Sequence, residues 1–329
     1  MMKRTLGRTG YDVSVIGLGT WQLGADWGDV REEAALAVLD AAHDAGVTFF
    51  DTADVYGDGR SEALIGRWLE ANPDAGVTVA TKMGRRVEQL HDNYTLDAFR
   101  AWNDRSRANL GVDTLDLVQL HCPPTSVYSD DAVYDALDTM VDEGRIANYG
   151  VSVETVEEAL TAIARPNVAT VQIIVNAFRL KPVEEVLPVA AEAGVGIIAR
   201  VPLASGLLTG RYTLDTEFAA DDHRSFNRDG SAFDVGETFS GVDYASGVRA
   251  AGEFTELARA AAPEAAASQA ALAWLASRPE VSSVIPGARN AEQARANAAA
   301  GSLVLPDGFD AEVRDLYDRE LRESIHPRW

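Results

Sequence analysis

The chain has almost no lysine and almost no cysteine. Among 29 basic side chains in 329 residues only Lys3, Lys82 and Lys181 are lysines. Against them stand 51 acidic side chains, for a net charge of -22. That balance speaks against nucleic acid or an anionic membrane as partner, because a polyanion repels both. An acidic surface nearly emptied of lysine suits a protein soluble in concentrated salt, where salt screens the repulsion among so many carboxylates. The expectation is a halophilic source; the plainer alternative is a genome of biased composition. The single cysteine, Cys122, rules out an internal disulfide and a thiolate metal cluster. It reads as pocket wall, since adjacent residues at a strand end point in opposite directions and His121 beside it is no partner for a nucleophile. The histidines, at 43, 91, 121, 223 and 326, show no paired ligand spacing, so no metal is expected. No apolar run approaches the roughly 18 residues of a membrane span. The start, MMKRTLGRTGYDV, lacks the apolar core of a secretory signal. A cytoplasmic location follows as the expectation.

What the chain does have is a stretch, FFDTADVYGDGRS from Phe49 to Ser61, that begins as a strand and ends as a polar, glycine-rich loop. Val47 to Phe50 fits a strand buried on both faces, with Asp51 at its end and Tyr56 on the loop beside Gly57 and Gly59. Two later strands answer to it: Val77 to Thr81 ends in Lys82, and Leu115 to Leu120 ends in His121. The steps between them have the length of one βαβ unit. Strand and helix patterns alternate from Val15 to Val201, and Val281 to Ile285 supplies an eighth strand before a helix over Ala291 to Ala299. Eight such units predict an α/β fold of one domain over residues 1–329, a closed (β/α)8 TIM barrel preceded by an N-terminal β-hairpin over Lys3 to Val15. The long stretch Leu203 to Tyr244 after strand seven is expected to lie over the active rim. GLGTWQLG at Gly17 to Gly24 only approaches the dinucleotide fingerprint, because Gln22 stands where the third glycine belongs and no helix opens there. A Rossmann fold is therefore not expected.

Each of the four polar residues alone is more often structural than functional. Together, on one rim, they permit a defined chemistry. A phenol is a poor proton donor at neutral pH unless its anion is stabilised, and an ammonium at Lys82 beside Tyr56 would do that. Asp51 would hold Lys82 charged and oriented, and His121 would donate to a bound carbonyl oxygen. The set suits protonation of an oxyanion formed when hydride arrives at carbon, and the hydride calls for a nicotinamide cofactor.

With these residues in place the chain resembles the aldo-keto reductases over nearly its whole length. The resemblance is carried by GLGTW at Gly17 to Trp21, DTADVYG at Asp51 to Gly57, TK at Thr81 and Lys82, LVQLH at Leu117 to His121 and GVS at Gly150 to Ser152. It continues through Gln172, PLASGLLTG at Pro202 to Gly210 and IPGARNAEQARAN at Ile285 to Asn297. It implies NADPH-dependent reduction of aldehydes or ketones, or the reverse oxidation of a sugar or polyol. Some proteins of this fold act instead as NADPH-binding regulatory subunits. Tyr56 would be the acid/base, tuned by Lys82 and Asp51, with His121 orienting the carbonyl. Ser152 and Gln172 would bind the nicotinamide carboxamide; Pro202 and Leu203 would line the cofactor site; Gly287, Arg289, Gln293 and Asn297 would hold the adenosine end. Arg289 would favour NADP(H) over NAD, a guanidinium being suited to a 2′-phosphate. Two departures stand out. Val153 replaces the asparagine common beside that serine, and Arg200 stands where an aromatic often stacks on the nicotinamide ring. Trp21, Val55 and Met83 are expected to line the substrate pocket, and Arg85 and Arg86 either attract an anionic or sugar substrate or are solvated surface charge. The expected partner is a small-molecule carbonyl or sugar, with no nucleic acid and no membrane, and the protein is a monomer or small homo-oligomer.

Overall fold

The computed structural model describes residues 1–24, 31–220, 222–228, 236 and 238–329. An antiparallel hairpin, Lys3–Thr5 against Asp12–Ser14, opens the chain as expected. Its buried Leu6 and Val13 pack with Phe49, Ala80, Leu117 and Ile198 in one apolar cluster. Several of these lie at or near strand starts, so the hairpin plugs the end of the sheet from which the strands depart. Gly7 is required there, since a Cβ on it would sit 2.2 Å from the backbone nitrogen of Gly196.

Eight strands follow: β1 Leu18–Gly19, β2 Phe49–Asp51, β3 Thr78–Met83, β4 Leu117–His121, β5 Tyr149–Ser152, β6 Thr170–Ile174, β7 Gly196–Arg200 and β8 Val281–Val284. Each runs parallel to its sequence neighbour. Parallel bridges from Ile16 to Val284 and from Gly19 to Gly287 join the first strand to the last. The result is the expected (β/α)8 barrel. Strands β4, β6 and β7 are buried at every position, because helices cover one face and the lumen takes the other. The alternation along β4 shows the division: Leu117 joins the lumen cluster, while Val118 and Leu120 pack outward under the helices.

The helices end where their sequences say they should. Thr95 caps Leu96–Leu110 by accepting from the Ala98 N–H, and Gly111 closes it with φ 69°. Thr155 and Glu158 form a reciprocal capping box on Val156–Ile163. The helical segment after β6 is divided into Lys181–Glu185 and Leu187–Ala193. Pro188 explains the break, having no N–H for the carbonyl four residues earlier. The alanine-rich segment likewise forms two helices, Tyr244–Ala261 and Ala267–Ala276, either side of Pro263.

Part of the stretch Leu203 to Tyr244, at residues 221, 229–235 and 237, lies outside the described residues. The described part carries three short helical pieces, Ala204–Thr209, His223–Phe226 and Thr238–Gly241. It also has a small aromatic core of its own, with Phe218 5.2 Å from Tyr212 and 5.9 Å from Phe239 between ring centres. Among the described residues no helix is long and apolar enough to cross a membrane.

Candidate active site

The lumen-facing residues at the C-terminal ends of the strands form a polar layer above the apolar plug. Asp51 ends β2 and Lys82 is the next-to-last residue of β3. Gln119 comes from β4 and Gln172 from β6. The Asp51 carboxylate accepts from Lys82 Nζ at 2.5 Å, from Gln172 Nε2 at 2.8 Å and from Gln119 Nε2 at 3.1 Å. Lys82 also donates to the Thr52 carbonyl at 2.8 Å and to the Tyr56 phenol oxygen at 3.2 Å. An ammonium has three protons, and these three acceptors use all of them. The phenol faces the adjoining cleft together with Trp21, Val55 and His121, and Asp51 also lines it.

Local sequence fixes the phenol in place. The Tyr56 loop turns back on itself through Tyr56 N–H to Ala53 O and Ser61 N–H to Tyr56 O. Gly57 follows at φ 59°, and a Cβ there would fall 1.9 Å from the Gly24 carbonyl oxygen. Only glycine fits that approach. Trp21 stacks on the Tyr56 ring at 6.2 Å, and His121 meets its edge at 6.0 Å. Lys82 Nζ lies 4.9 Å from the ring centre. Burial raises the Tyr56 pKa above the ordinary phenol value; Lys82 opposes that and Asp51 adds to it. Lys82 thus acts on the phenol in the expected direction, and desolvation of the phenolate outweighs it. Burial alone would lower the Lys82 pKa, but Asp51 and Tyr56 outweigh it and the ammonium is held charged.

A cleft of about 720 Å³ runs from this corner across the barrel mouth. Trp21, Val55, Tyr56, Arg85, His121 and Cys122 line one part; Ser152, Gln172, Arg200, Pro202 and Leu203 line its middle; Gly287, Arg289, Gln293 and Asn297 line the far part. Of the residues singled out in the sequence, Lys82 stands behind Tyr56. Met83 does not reach the cleft: it is 1% exposed and belongs to the outer apolar core. The reason is strand alternation, since Lys82 points into the lumen and its neighbour must point outward. Arg85 and Arg86 part company as well. The Arg85 Nε donates to the His121 carbonyl at 3.0 Å at the cleft wall, whereas Arg86 pairs with Asp58 outside it.

Sequence reasoning assigned Gln172 to a cofactor amide and overlooked Gln119. The structure commits the Gln172 amide N–H groups to Asp51 and to Gln119 Oε1 at 3.1 Å, leaving its oxygen as the atom for a ligand. A polar residue at an alternating lumen position of an otherwise apolar strand was the available signal for Gln119. Also overlooked was His223, brought over the cleft by the long stretch and lying 5.4 Å from Trp21. Burial pushes its pKa down to about 3, against the pull of Asp222, so the ring is neutral. Beside it Asp222 pairs with Arg224 and approaches Arg289 Nη2 at 3.8 Å. The residues after β8 that line the cleft order one another: Asn297 donates to the Gly287 carbonyl at 3.0 Å, and Gln293 Oε1 accepts from the Arg289 N–H at 2.9 Å.

Arg200 ends β7 and lines the cleft. Its Nη2 donates to the Val153 carbonyl at 3.2 Å and lies 3.9 Å from Cys122 Sγ. Backbone strain gathers at the same rim. Cys122 and Val201, immediately after β4 and β7, adopt φ 45° and 51°. For a β-branched valine the left-handed region costs on the order of 1–2 kcal/mol. Among the described residues no cluster of side chains could hold a metal.

Comparison with known proteins agrees with this architecture. Residues 15–318 match the model of the Aldo/keto reductase family. A protein of Oryza sativa named "Probable voltage-gated potassium channel subunit beta" is 31% identical over 315 residues, 89% of each chain. The aldo-keto reductase yakc [NADP(+)] of Schizosaccharomyces pombe is 28% identical over 316 residues, 93% of this chain and 89% of that one. Among solved structures, the glycerol dehydrogenase AKR11B4 from Gluconobacter oxydans superposes with a TM-score of 0.81 at 28% identity, covering 99% of this chain and 98% of the other.

Proposed function

Because the chain belongs to the aldo/keto reductase family, we propose that it reduces aldehydes or ketones with NADPH, using Tyr56 as the proton donor. One observation carries the reading: the Tyr56 phenol faces the cleft while hydrogen-bonded at 3.2 Å to an ammonium that Asp51 holds in place. The raised phenol pKa keeps Tyr56 protonated at neutral pH, as a donor must be. As the substrate oxygen gains charge, Tyr56 releases its proton to it and Lys82 stabilises the phenolate left behind. His121, edge-on to Tyr56, orients the oxygen. Trp21, Val55 and His223 shape the pocket around the carbon chain and keep water out.

The cleft fits a dinucleotide. Its length joins the catalytic corner to Arg289, Gln293 and Asn297, and Arg200, Arg211, Arg224 and Arg289 bring positive charge to it in a chain that is otherwise strongly acidic. The yeast relative's name carries NADP(+), and Arg289 is suited to a 2′-phosphate. When bound, the nicotinamide supplies the hydride. Ser152 and the Gln172 oxygen would hold its carboxamide, Pro202 and Leu203 would flank it, and Gly287 leaves room beside Gln22, whose side chain a Cβ at that position would meet at 2.2 Å.

The solved glycerol dehydrogenase, alike over nearly the whole chain, favours a second reading in which a polyol or sugar is oxidised by NADP⁺. A stopped-flow record of NADPH absorbance with aldehydes, ketones and aldoses, and of NADP⁺ with polyols, tests both in high KCl. Rapid turnover abolished by Tyr56→Phe supports the proton-donor role. Tight NADPH binding without turnover of any compound would overturn it in favour of an NADPH-binding regulatory subunit; the rice relative is named as a channel subunit beta.

A further inference from the structure

Asp54 lies between Asp51 and Tyr56, in the loop that carries the phenol, and takes no part in the chemistry above. It is fully buried, at 0% exposure. Its backbone is pinned: the N–H donates to the Lys82 carbonyl at 3.1 Å, and the carbonyl accepts from Arg86 Nη1 at 3.4 Å. Among the described residues, no group donates a hydrogen bond to either carboxyl oxygen. The nearby Val55 N–H favours the anion slightly without forming a bond of acceptable geometry.

The charged groups around it give an anion little support. On the helix Arg60–Ala71 the facing group is Glu62, another buried carboxylate. Glu62 is satisfied by Thr81 Oγ1 at 2.6 Å and Asn109 Nδ2 at 2.9 Å, so it stays in place as a like charge. From β3 comes Lys82, whose three protons are committed elsewhere. Past the end of β3, Arg86 turns its guanidinium to Asp58. Tyr94, close enough to feel Asp54, gives its hydroxyl proton to Gln89 at 2.9 Å. A buried carboxylate without donors, facing another carboxylate, is strongly disfavoured, whereas the neutral acid is tolerated.

We propose that Asp54 is a positioning residue that works as a neutral carboxylic acid: its proton leaves the Lys82 ammonium directed to Asp51 and Tyr56, and loss of that proton weakens Tyr56 as a donor. The inference rests on the reading of Tyr56 given above. An anion at position 54 adds negative charge beside the phenol and its ammonium. It thereby disfavours the phenolate that forms as Tyr56 gives up its proton. Burial first, and Glu62 second, raise the Asp54 pKa to about 7, so the change falls within the range where enzymes are assayed.

Two measurements test this, each on the intact chain. Reductive kcat of the parent is expected to fall at least threefold in one step as pH rises from 6 to 8.5, and Asp54→Asn is expected to remove that step. Glu62→Gln, which removes the like charge while keeping the helix, is expected to move the step to lower pH and so covers a poorly folding Asn variant. Independently, infrared difference spectra are expected to show a protonated-carboxyl band at pH 6 that vanishes by pH 8 and is missing in Asp54→Asn. An unchanged pH profile in Asp54→Asn, or no such band at pH 6, overturns the proposal. The infrared band reports the proton whether or not the protein turns over a carbonyl, so failure of the reductase reading is told apart from failure of this one.

Discussion

Asp51 Oδ1 and Lys82 Nζ stand 2.5 Å apart with both side chains almost wholly out of water, at 3% and 1% exposure. A buried ion pair is weak evidence for stability, since desolvation offsets much of the attraction. Here the carboxylate has two further donors, Gln119 and Gln172, and the ammonium has two further acceptors. The network is therefore satisfied, and it meets the cleft through Asp51, Tyr56 and Gln172. Removing one partner should separate its two roles. Lys82→Met is expected to lower kcat by at least about 100-fold, the scale of a lost general-acid contribution, while cofactor affinity changes little. Asp51→Asn leaves the ammonium without its counter-charge and is expected to cost about 3–5 kcal/mol of stability, read from denaturant unfolding. Equal kcat in Lys82→Met and parent would remove Lys82 from the mechanism.

Asp54 links stability to pH in a definite sense. Its folded-state pKa, about 7, lies above the unfolded carboxyl value, so the folded state holds the proton more tightly. Stability from this group is fully present below the unfolded pKa and is lost as pH rises through the folded one. Between pH 4 and 8 the loss is on the order of a few kcal/mol. Asp54→Asn should flatten this part of the stability profile in denaturant titrations. A profile as steep as the parent's would show that Asp54 does not carry the linkage.

Gly57 makes the catalytic loop possible, because its Cβ position is occupied by the Gly24 carbonyl and its φ is 59°. Gly57→Ala must push the loop away from the turn Trp21–Gly24 that follows β1, and the displaced atom is backbone, which cannot swing aside. The expected result is a stability loss of about 1–3 kcal/mol together with a fall in kcat larger than the change in cofactor dissociation constant. Restored kcat in a structure with unmoved Tyr56 would contradict the account.

The barrel was legible because its strands are short apolar runs ended by glycine-closed helices, and because eight of them recur. Asp51, Tyr56, Lys82 and His121 were legible as strand-end polar residues, and the structure brings them together as expected. What escaped was decided by direction or by distance in sequence. Met83 beside Lys82 was misplaced for want of applying the alternation that put Lys82 in the lumen. Gln119 looked like a stray polar residue in an apolar strand, and only the closed sheet shows it reaching Asp51, 68 positions away. His223 arrives from a stretch with no periodicity, so nothing local could aim it at Trp21. Asp54 passed as part of a motif until its burial without donors was seen.

Arg200 lies in the cleft wall between Cys122 and Val153, on the side of Ser152 and Gln172. A guanidinium there adds positive charge beside a ring that is itself cationic when oxidised, and stacks as readily on the neutral form. Arg200 should therefore favour NADPH over NADP⁺ and with it the reductive direction. Arg200→Tyr is expected to bring the two dissociation constants closer by roughly three- to tenfold, the range of one cation–π contribution. An unchanged ratio of oxidised to reduced affinity would show that the side chain serves only to bridge β5 and β7.

The surface charge yields the last prediction. With a net charge of -22 the folded chain repels itself, and only part of that repulsion is relieved by pairs such as Arg100 with Glu143 or Arg319 with Glu253. Most of these pairs are exposed and contribute little individually. At low ionic strength the repulsion acts over roughly 30 Å, across the whole molecule, whereas at molar salt it is confined to about 3 Å. Salt should then stabilise the fold far more than it weakens its ion pairs. Thermal unfolding is expected to move upward by roughly 3–6 °C, which is about 2–4 kcal/mol for a chain this size, between dilute buffer and multimolar KCl. The Lys82–Asp51 pair, being out of solvent, should be indifferent to the same change, so kcat at saturating substrate should vary less than stability does. Equal unfolding temperatures at the two salt concentrations would mean that the acidic surface reflects composition alone.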